Sequence, residues 1–265
     1  MSDRELERRL ARSGYARPGF AERYDAHRPR PPDVLLDLLP ALARVERPQL
    51  VVDLGSGTGL STRFWAERAT RVVGVEPQQA MREWAERTTD APNVEYVGSS
   101  AHDTGIAGAA VDIVTAAQSF QWMDPERTLA EVARILRPRG VFCAYEYVSL
   151  QTPLWEPEQV WAELRANARR LREERGLIEP RFPLSLERVE QSGVFSSVRE
   201  LNLHGIEEGH GERLLELALS EGSLVTLLET GVTEDDVGLD RLRAVTAAMP
   251  RVRWWIGYRA VVGRT

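Results

Sequence analysis

This chain has very little cysteine and no long apolar run. Its 265 residues include one cysteine, Cys143, which excludes an internal disulfide and a metal site built from several thiolates. No uninterrupted apolar stretch approaches the ~18 residues that a membrane-spanning helix needs. Residues 1–9 mix charges of both signs, whereas a secretory signal has an apolar core. We therefore expect a soluble, cytoplasmic protein with no metal centre and no membrane partner.

Lysine is absent as well. All 34 basic residues are arginine, and with 40 acidic residues the formal net charge is −6. A negative chain does not favour wrapping a polyanion, so we expect no nucleic-acid partner. The apolar fraction of 43% is ordinary for a globular protein, and the length is ample for a sizeable core.

Between residues 49 and 150, short apolar runs alternate with segments of helical periodicity. The runs cover residues 50–54, 71–76, 94–97, 112–117 and 141–148. Unbroken apolar strands separated by helices predict a mostly parallel sheet covered on both faces, which is a doubly wound α/β fold. Residues 137–140, Arg-Pro-Arg-Gly, predict a helix stop and a turn before the fifth strand.

The flanking regions carry weaker patterns. Residues 14–32 are rich in Gly, Pro, Tyr and Arg and predict a loop or lid that leads into a helix near residues 33–44. After residue 148 we expect a helix at 158–175, a strand at 198–203, helices within 211–229 and 239–248, and a last strand at 254–263. We divide a single domain into an N-terminal lid and helix (1–48), a core (49–150), and a helical insertion with closing strands (151–265).

The strongest motif is a glycine-rich loop after the first strand. Residues 51–59 read Val-Val-Asp-Leu-Gly-Ser-Gly-Thr-Gly, and glycine lets a backbone turn sharply and approach a ligand closely. The following helix offers unpaired N–H groups to an anionic group. A dinucleotide fingerprint would place its third glycine at position 60, which is Leu60, and this weighs against a nicotinamide-dependent oxidoreductase.

Three further loops follow the next three predicted strands. Glu76 closes the second strand, where a carboxylate can accept hydrogen bonds from ribose hydroxyls. Residues 98–103 follow the third strand, and residues 117–125 bring aromatic and amide groups to the end of the fourth. Carboxyl ends of parallel strands meet at one edge of a sheet, so the four loops together predict a nucleoside-type site.

These motifs resemble the class I S-adenosylmethionine-dependent methyltransferases, in particular the small-molecule branch with the trans-aconitate and ubiquinone/menaquinone types. The resemblance is good from about residue 20 to residue 148 and weak afterwards. It is carried by residues 24–29, 53–59, 75–77, 100–102, 118–122 and 129–140. Residues 119–122, Ser-Phe-Gln-Trp, differ from the Phe-His-Trp pattern of the trans-aconitate-like group, because Gln121 stands where histidine is common.

The resemblance implies a Rossmann-like sheet of seven strands with the last one antiparallel, and S-adenosylmethionine as the cofactor. It implies that the glycine loop lines the methionine half and the ribose, that Glu76 holds the ribose hydroxyls, and that Arg28 pairs with the methionine carboxylate. The implied cofactor-binding residues are Arg28, Asp53, Gly55, Ser56, Gly57, Gly59, Glu76, Pro77, Gln78, Met81, Ser100, Ala101, His102 and Gln118.

The acceptor and any catalytic base are harder to assign. Methyl transfer mainly needs donor and acceptor held in line, so we assign no catalytic residue, although His27, Glu146 and His204 are candidate bases. Bulky aromatics could wall an acceptor pocket, stabilise a sulfonium, or simply pack in the core. The candidate substrate-pocket residues are Tyr24, His27, Phe120, Trp122, Glu146 and Tyr147.

We expect methyl transfer to the O, N or C atom of a small molecule. The alternative is a cofactor-binding pseudoenzyme or regulatory module without turnover. A macromolecule methyltransferase is disfavoured by the net negative charge and by the lack of an Asn/Asp-Pro-Pro-Tyr-like loop after the fourth strand.

Overall fold

The computed structural model describes residues 14–177 and 182–265. Seven strands form one sheet in the order β3-β2-β1-β4-β5-β7-β6, mostly parallel with the last strand antiparallel. The strands are β1 Leu50–Leu54, β2 Arg71–Val75, β3 Val94–Val97, β4 Val111–Ala117, β5 Leu136–Gln151, β6 Ser197–Gly209 and β7 Val252–Arg264. This architecture confirms the predicted doubly wound α/β fold.

Helices separate and follow these strands. They are α1 Phe20–His27, α2 Leu35–Ala43, α3 Leu60–Phe64, α4 Gln79–Thr88, α5 Pro125–Ile135, α6 Trp155–Glu174, α7 Leu186–Gln191, α8 Gly211–Leu219, α9 Gly222–Leu228, α10 Glu234–Val237 and α11 Leu239–Ala247. A 3-10 turn covers Phe120–Trp122. Of the helices within the described ranges, none is long and apolar enough to span a membrane.

Strand β1 is the centre of the sheet. All five of its residues are buried, because helices cover both faces of a parallel sheet. Asp53 pairs in register with Gly74 of β2 on one side and with Thr115 of β4 on the other. Strands β2 and β3 follow on one side of β1, and β4 and β5 follow on the other, so the strand order reverses at β1. Doubly wound sheets bind ligands beyond the carboxyl ends of the strands at such a reversal.

The described residues divide into two compact units. The sheet unit contains residues 30–148, 182–205 and 257–265, and its core holds the apolar side chains of β1, β2, β4 and β5 packed against α5. The helical unit contains residues 14–29, 149–177 and 206–256. In the helical unit α1 packs on α8, where Arg23 forms an ion pair with Glu216 at 2.7 Å. The three sections expected from the sequence stay a prediction.

Two local expectations were wrong. Residues 14–32 are not only a loop, because α1 forms within them. It begins after Gly19, whose φ is 73°, and ends at Arg28, whose extended backbone (ψ 146°) suits a residue that precedes proline. Gly19 and Pro29 flank a helix of only eight residues, so its helical pattern in the sequence is short and easily read as a loop.

The predicted turn at residues 137–140 is instead an irregularity inside β5. Strand β5 begins at Leu136, directly after α5, and pairs Leu136 with Val111 and Val141 with Ile113. The residues between them bulge from the ladder, and Arg139 adopts a left-handed φ of 67°. A proline and a glycine in four residues are compatible with either a turn or such a bulge.

Candidate functional site

The glycine loop, residues 55–59, joins the carboxyl end of β1 to the start of α3. The N–H groups of Gly55 and Ser56 both donate to the Val75 carbonyl, at 2.8 and 3.1 Å. Gly55, Gly57 and Gly59 all have left-handed backbones, with φ of 66°, 56° and 84°. L-residues rarely adopt this conformation, which explains the spacing of the three glycines.

The three glycines have different surroundings. A Cβ on Gly55 would lie 2.6 Å from the Ser119 Cβ, and a Cβ on Gly59 would lie 2.2 Å from the Tyr96 hydroxyl. Packing therefore requires glycine at both positions. A Cβ on Gly57 would meet only the Met81 methyl group, at 3.6 Å. Gly57 is partly exposed and only lightly packed, which leaves an opening at its backbone.

Glu76 lies beside this opening, directly after β2. Its side chain is buried, with 6% of its surface exposed, and its carboxylate accepts the Gly57 N–H at 2.8 Å and the Gln78 N–H at 2.8 Å. Burial raises the pKa of Glu76 to about 7, although the two backbone donors and nearby Arg82 oppose this rise. Each carboxylate oxygen keeps a lone pair that a ligand hydroxyl can use.

Asp53 is placed differently from the expectation that it lines the ligand. It is 0% exposed, and its carboxylate accepts hydroxyl hydrogen bonds from Thr62 and Thr115, both at 2.8 Å, and from Ser61 at 3.5 Å. Burial raises the pKa of Asp53 to about 6 against these three donors. Asp53 therefore supports the loop through its neighbours, and its predicted contact with the cofactor stays a prediction.

The loop after β3 carries Ser100, Ala101 and His102. Ser100 pairs with Asp103 in an isolated bridge, and Ala101 is buried. The loop is anchored at Thr104, whose N–H and hydroxyl both donate to the Glu131 carboxylate of α5, at 2.9 and 2.5 Å. Glu131 in turn pairs with Arg134 at 2.6 Å, and mainly this guanidinium lowers the pKa of Glu131 to about 2.

The loop after β4 is held in a strained form. Gln118 has a left-handed φ of 56°, which is costly for an L-residue, and its N–H donates to the Tyr145 carbonyl at 2.8 Å. The Gln121 side chain donates to the Gln118 carbonyl at 2.8 Å, and the Ser119 hydroxyl donates to the Leu54 carbonyl at 2.7 Å. The sequence gives no indication of this backbone conformation, since glutamine does not favour it.

The residues of these loops fit a nucleoside ligand with a polar tail. Three buried side-chain atoms, Ser56 Oγ, Thr58 Oγ1 and Gln118 Nε2, have no hydrogen-bond partner among the residues that the structure describes. Buried polar atoms normally have hydrogen-bond partners, so these three are available to bind a ligand at the two loops. Together with the lightly packed Gly57 and the lone pairs of Glu76, they suit the donors and acceptors of such a ligand.

Other predicted cofactor residues border the same loops. Met81 is buried beside Gly57, and the Gln78 side chain caps α4 by accepting the Ala80 N–H at 2.6 Å. Pro77 is exposed between Glu76 and that cap. The structure brings these residues together with the glycine loop and Glu76, and their contact with a cofactor stays a prediction.

Of the candidate pocket residues in the sheet unit, Phe120 is buried in the core, whereas Trp122, Glu146 and Tyr147 are partly exposed. Phe120 is 2% exposed and packs on Phe142 in the core, with ring centroids 5.9 Å apart, so packing explains its side chain. Glu146 lies 3.8 Å from Arg259, which also pairs with Glu200 at 2.7 Å. Burial raises the pKa of Glu146, and Arg259 opposes the rise. Trp122 and Tyr147 are half-buried.

Arg28, Tyr24 and His27 lie in the helical unit. The Arg28 guanidinium donates to the Ser220 carbonyl at 2.7 Å and stacks on the Tyr24 ring, 4.6 Å from its centroid. Burial lowers the pKa of His27, and the neighbouring Glu216 opposes this effect. The roles predicted for these three residues in the site remain predictions, and His204 is exposed on β6.

Sequence reasoning missed the polar groups that support the loops. Ser61, Thr62, Thr115 and Tyr145 surround Asp53, and Glu131 holds the loop after β3. A fully buried acid in the middle of an apolar strand requires hydrogen-bond donors, so Asp53 itself was the available indication. Ser61 and Thr62 lie eight and nine positions after Asp53, in the first turn of α3, so the sequence could have suggested them as donors. The contact of Tyr145 could be predicted only from the order of the strands in the sheet.

Comparison with known proteins places residues 52–144 in a family model described as a methyltransferase domain. An uncharacterised methyltransferase of Mycobacterium tuberculosis is 40% identical over 118 residues, which are 44% of this chain and 46% of that protein. A Saccharomyces cerevisiae protein, described as a probable S-adenosylmethionine-dependent methyltransferase, is 28% identical over 145 residues, 52% of this chain and 50% of that protein. The chain spans about half the length of the curated relatives it matches.

Solved structures extend the similarity over more of the chain. A protein of Anaeromyxobacter dehalogenans assigned as a type II methyltransferase is 28% identical, with a TM-score of 0.64 over 89% of this chain and 97% of that one. A protein of Anabaena variabilis, assigned to an antibiotic biosynthesis pathway, is 18% identical, with a TM-score of 0.59 over 88% and 97% of the two chains. The [4+2]-cyclase SpnF shares the fold at 18% identity, with a TM-score of 0.50 over 88% and 81%.

Proposed function

We propose that this chain is a class I S-adenosylmethionine-dependent methyltransferase and that it transfers a methyl group from S-adenosylmethionine to a small-molecule acceptor. The observation that carries the proposal is the arrangement of Glu76 beside Gly57. A buried carboxylate with free lone pairs adjoins a glycine that is partly exposed and lightly packed. This combination suits a ribose whose hydroxyls donate to the carboxylate while the backbone of the loop lies against the ligand.

The donor would be held by residues of four loops in the sheet unit, which follow β1, β2, β3 and β4. Glu76 would accept hydrogen bonds from the ribose hydroxyls, and the glycine loop would lie against the ribose and the amino-acid tail. The residues after β3, from Ser100 to His102, would border the adenine, and the unpartnered Gln118 amide would donate to the polar tail. When bound, S-adenosylmethionine supplies a methyl group on a positively charged sulfur, which is electrophilic enough to react with a lone pair.

The chain's own contribution is mainly to fix positions. Holding two reactants in line at about 3–3.5 Å can supply several kcal/mol of the barrier without any proton transfer. Glu146, one candidate base, already neighbours Arg259, whose charge favours the ionised carboxylate. A mechanism based on proximity therefore requires no catalytic base from the sheet unit, and a base matters only for an acceptor that must lose a proton.

The net charge of −6 supports a small acceptor over a nucleic acid. The loop after β4 reads Gln-Ser-Phe-Gln, without an Asn/Asp-Pro-Pro-Tyr-like motif of the kind associated with methylation of planar amino groups. The fold alone does not specify the reaction, since a [4+2]-cyclase also has it. Turnover must therefore be measured directly.

The test is transfer of radiolabelled methyl from S-adenosylmethionine to a panel of small carboxylic acids, phenols and amines, with bulk RNA and protein in parallel. We expect transfer to at least one small-molecule class and none to RNA or protein. Transfer to a macromolecule alone would contradict the small-acceptor proposal. Tight binding of S-adenosylhomocysteine without transfer to any acceptor would support the alternative of a cofactor-binding module without turnover.

A further inference from the structure

Tyr145 contacts two of the loops that carry the proposed donor site. It lies on β5 and is 3% exposed. Its carbonyl accepts the N–H of the strained Gln118 at 2.8 Å, and its hydroxyl lies 2.8 Å from Ser61 Oγ in the first turn of α3. One residue thus fixes the end of β4 through its backbone and the end of the glycine loop through its side chain.

The hydroxyl belongs to a hydrogen-bond chain with a defined direction. Asp53 is a carboxylate, which only accepts hydrogen bonds when ionised. Ser61 therefore directs its hydrogen to Asp53 Oδ1 at 3.5 Å, and its oxygen is left to accept the hydrogen of Tyr145. Such chains polarise one another in a buried setting and become stronger than isolated bonds.

The hydrogen-bond chain of Tyr145, Ser61 and Asp53 contacts residues on both sides of the glycine loop. Asp53 precedes the loop by two positions, and Ser61 and Thr62 follow it by two and three. Thr62 and Thr115 complete the Asp53 environment at 2.8 Å each. Loosening at Tyr145 would therefore reach both ends of the loop through Ser61 and Asp53.

We propose that the Tyr145 hydroxyl is a positioning group that holds the glycine loop in its ligand-binding shape through Ser61 and Asp53. This inference rests on the proposed function for the identity of the ligand. For packing alone, phenylalanine would serve equally well at this buried position, and the hydroxyl would add only a polar atom to be satisfied. Tyr145 touches no reacting atom in this account, so it is not a catalytic residue.

The experiment compares Tyr145→Phe with Tyr258→Phe as a matched control. Tyr258 is also a buried tyrosine of the sheet unit, 2% exposed, and its hydroxyl donates to the Arg30 carbonyl. We expect both variants to lose similar thermal stability. Tyr145→Phe should weaken S-adenosylhomocysteine binding about fivefold or more in calorimetric titration, and Tyr258→Phe should stay within about twofold.

A double-mutant cycle with Ser61→Ala tests the route of the effect. If Tyr145 acts through Ser61, the double variant should bind no more weakly than Ser61→Ala alone, because the second change removes a contact that is already lost. Additive losses, or equal losses in Tyr145→Phe and Tyr258→Phe, would overturn the positioning role.

A wild-type protein that binds no S-adenosylhomocysteine would contradict the proposed function without deciding this inference. Hydrogen exchange at the amides of Gly57, Gly59 and Ser61 in the ligand-free protein then decides it. Faster exchange in Tyr145→Phe than in Tyr258→Phe would support positioning of the loop, and equal exchange would overturn it.

Discussion

The Gly57 N–H donates to the Glu76 carboxylate at 2.8 Å. This bond connects the glycine loop after β1 with the residue that follows β2. Because Glu76 also accepts the Gln78 N–H, its position is fixed before any ligand arrives. A carboxylate held in this way binds hydroxyls with little reorganisation, which is the condition for a strong contribution to affinity.

Replacing Glu76 by alanine should weaken binding of S-adenosylhomocysteine. The ribose hydroxyls lose a charged partner, which corresponds to about 1–3 kcal/mol, or roughly 5- to 150-fold in Kd. Calorimetric titration measures the change. Glu83→Ala is the control, because Glu83 is exposed on α4 and its carboxylate accepts a hydrogen bond from the neighbouring Gln79 side chain. Unchanged affinity in Glu76→Ala would remove Glu76 from the site.

The raised pKa of Glu76 predicts a specific dependence of stability on pH. A carboxyl with an ordinary pKa of 4.5 and a folded pKa of about 7 holds its proton more tightly when folded. Its contribution to the free energy of unfolding is therefore greatest below pH 4.5, falls as the pH rises to about 7, and is then constant. The total change is about 3 kcal/mol, since one pKa unit corresponds to about 1.4 kcal/mol.

Urea unfolding of the wild type and of Glu76→Gln at pH 5 and pH 8 tests this dependence. The glutamine variant cannot titrate, so the wild type should lose more stability between the two pH values than the variant does. Any constant offset from the altered hydrogen bonds cancels in this comparison. Parallel pH profiles would show that Glu76 does not titrate in this range.

The glycines at 57 and 59 should respond differently to alanine. Both have left-handed backbones, where alanine costs roughly 1–2 kcal/mol. A Cβ on Gly59 would also lie 2.2 Å from the Tyr96 hydroxyl, whereas a Cβ on Gly57 has space. We expect Gly59→Ala to destabilise the protein more in urea unfolding. Gly57→Ala should fold and lose S-adenosylhomocysteine affinity, and a reversed order of stability would contradict this packing.

The Glu131 contact predicts acid sensitivity of the loop after β3. Arg134 mainly, with Thr104, lowers the pKa of Glu131 to about 2, so the stabilisation is present above pH 4.5 and is lost as the pH falls towards 2. Glu131→Gln should remove part of this loss. Hydrogen exchange at the Thr104 amide is measured at pH 3 and pH 6 and divided into the intrinsic rate at each pH, which is much slower at pH 3. The resulting protection factor should fall on acidification in the wild type and fall less in the variant.

Sequence patterns predicted the centre of the sheet because β1, β2 and β4 are almost entirely buried and apolar on both faces. The bounds of β1 and β3 agree with the structure residue for residue, and the glycine loop and Glu76 lie where their motifs place them. Two kinds of feature were not predictable. Helix α1 is short and lies between Gly19 and Pro29, so its pattern is brief. The contacts that support Asp53 were the second. Thr115 lies 62 positions after Asp53, and Tyr145 lies 84 positions after Ser61, so only the order of the strands in the sheet brings these residues together.

The most direct test of the central claim is calorimetric titration of the purified protein with S-adenosylhomocysteine, with NAD(H) as the control ligand. The account predicts micromolar binding of S-adenosylhomocysteine and no binding of NAD(H), because Glu76 and the glycine loop fit an adenosine ligand and Leu60 replaces the third glycine of a dinucleotide fingerprint. Binding of NAD(H) in place of S-adenosylhomocysteine, or of neither ligand, would contradict it.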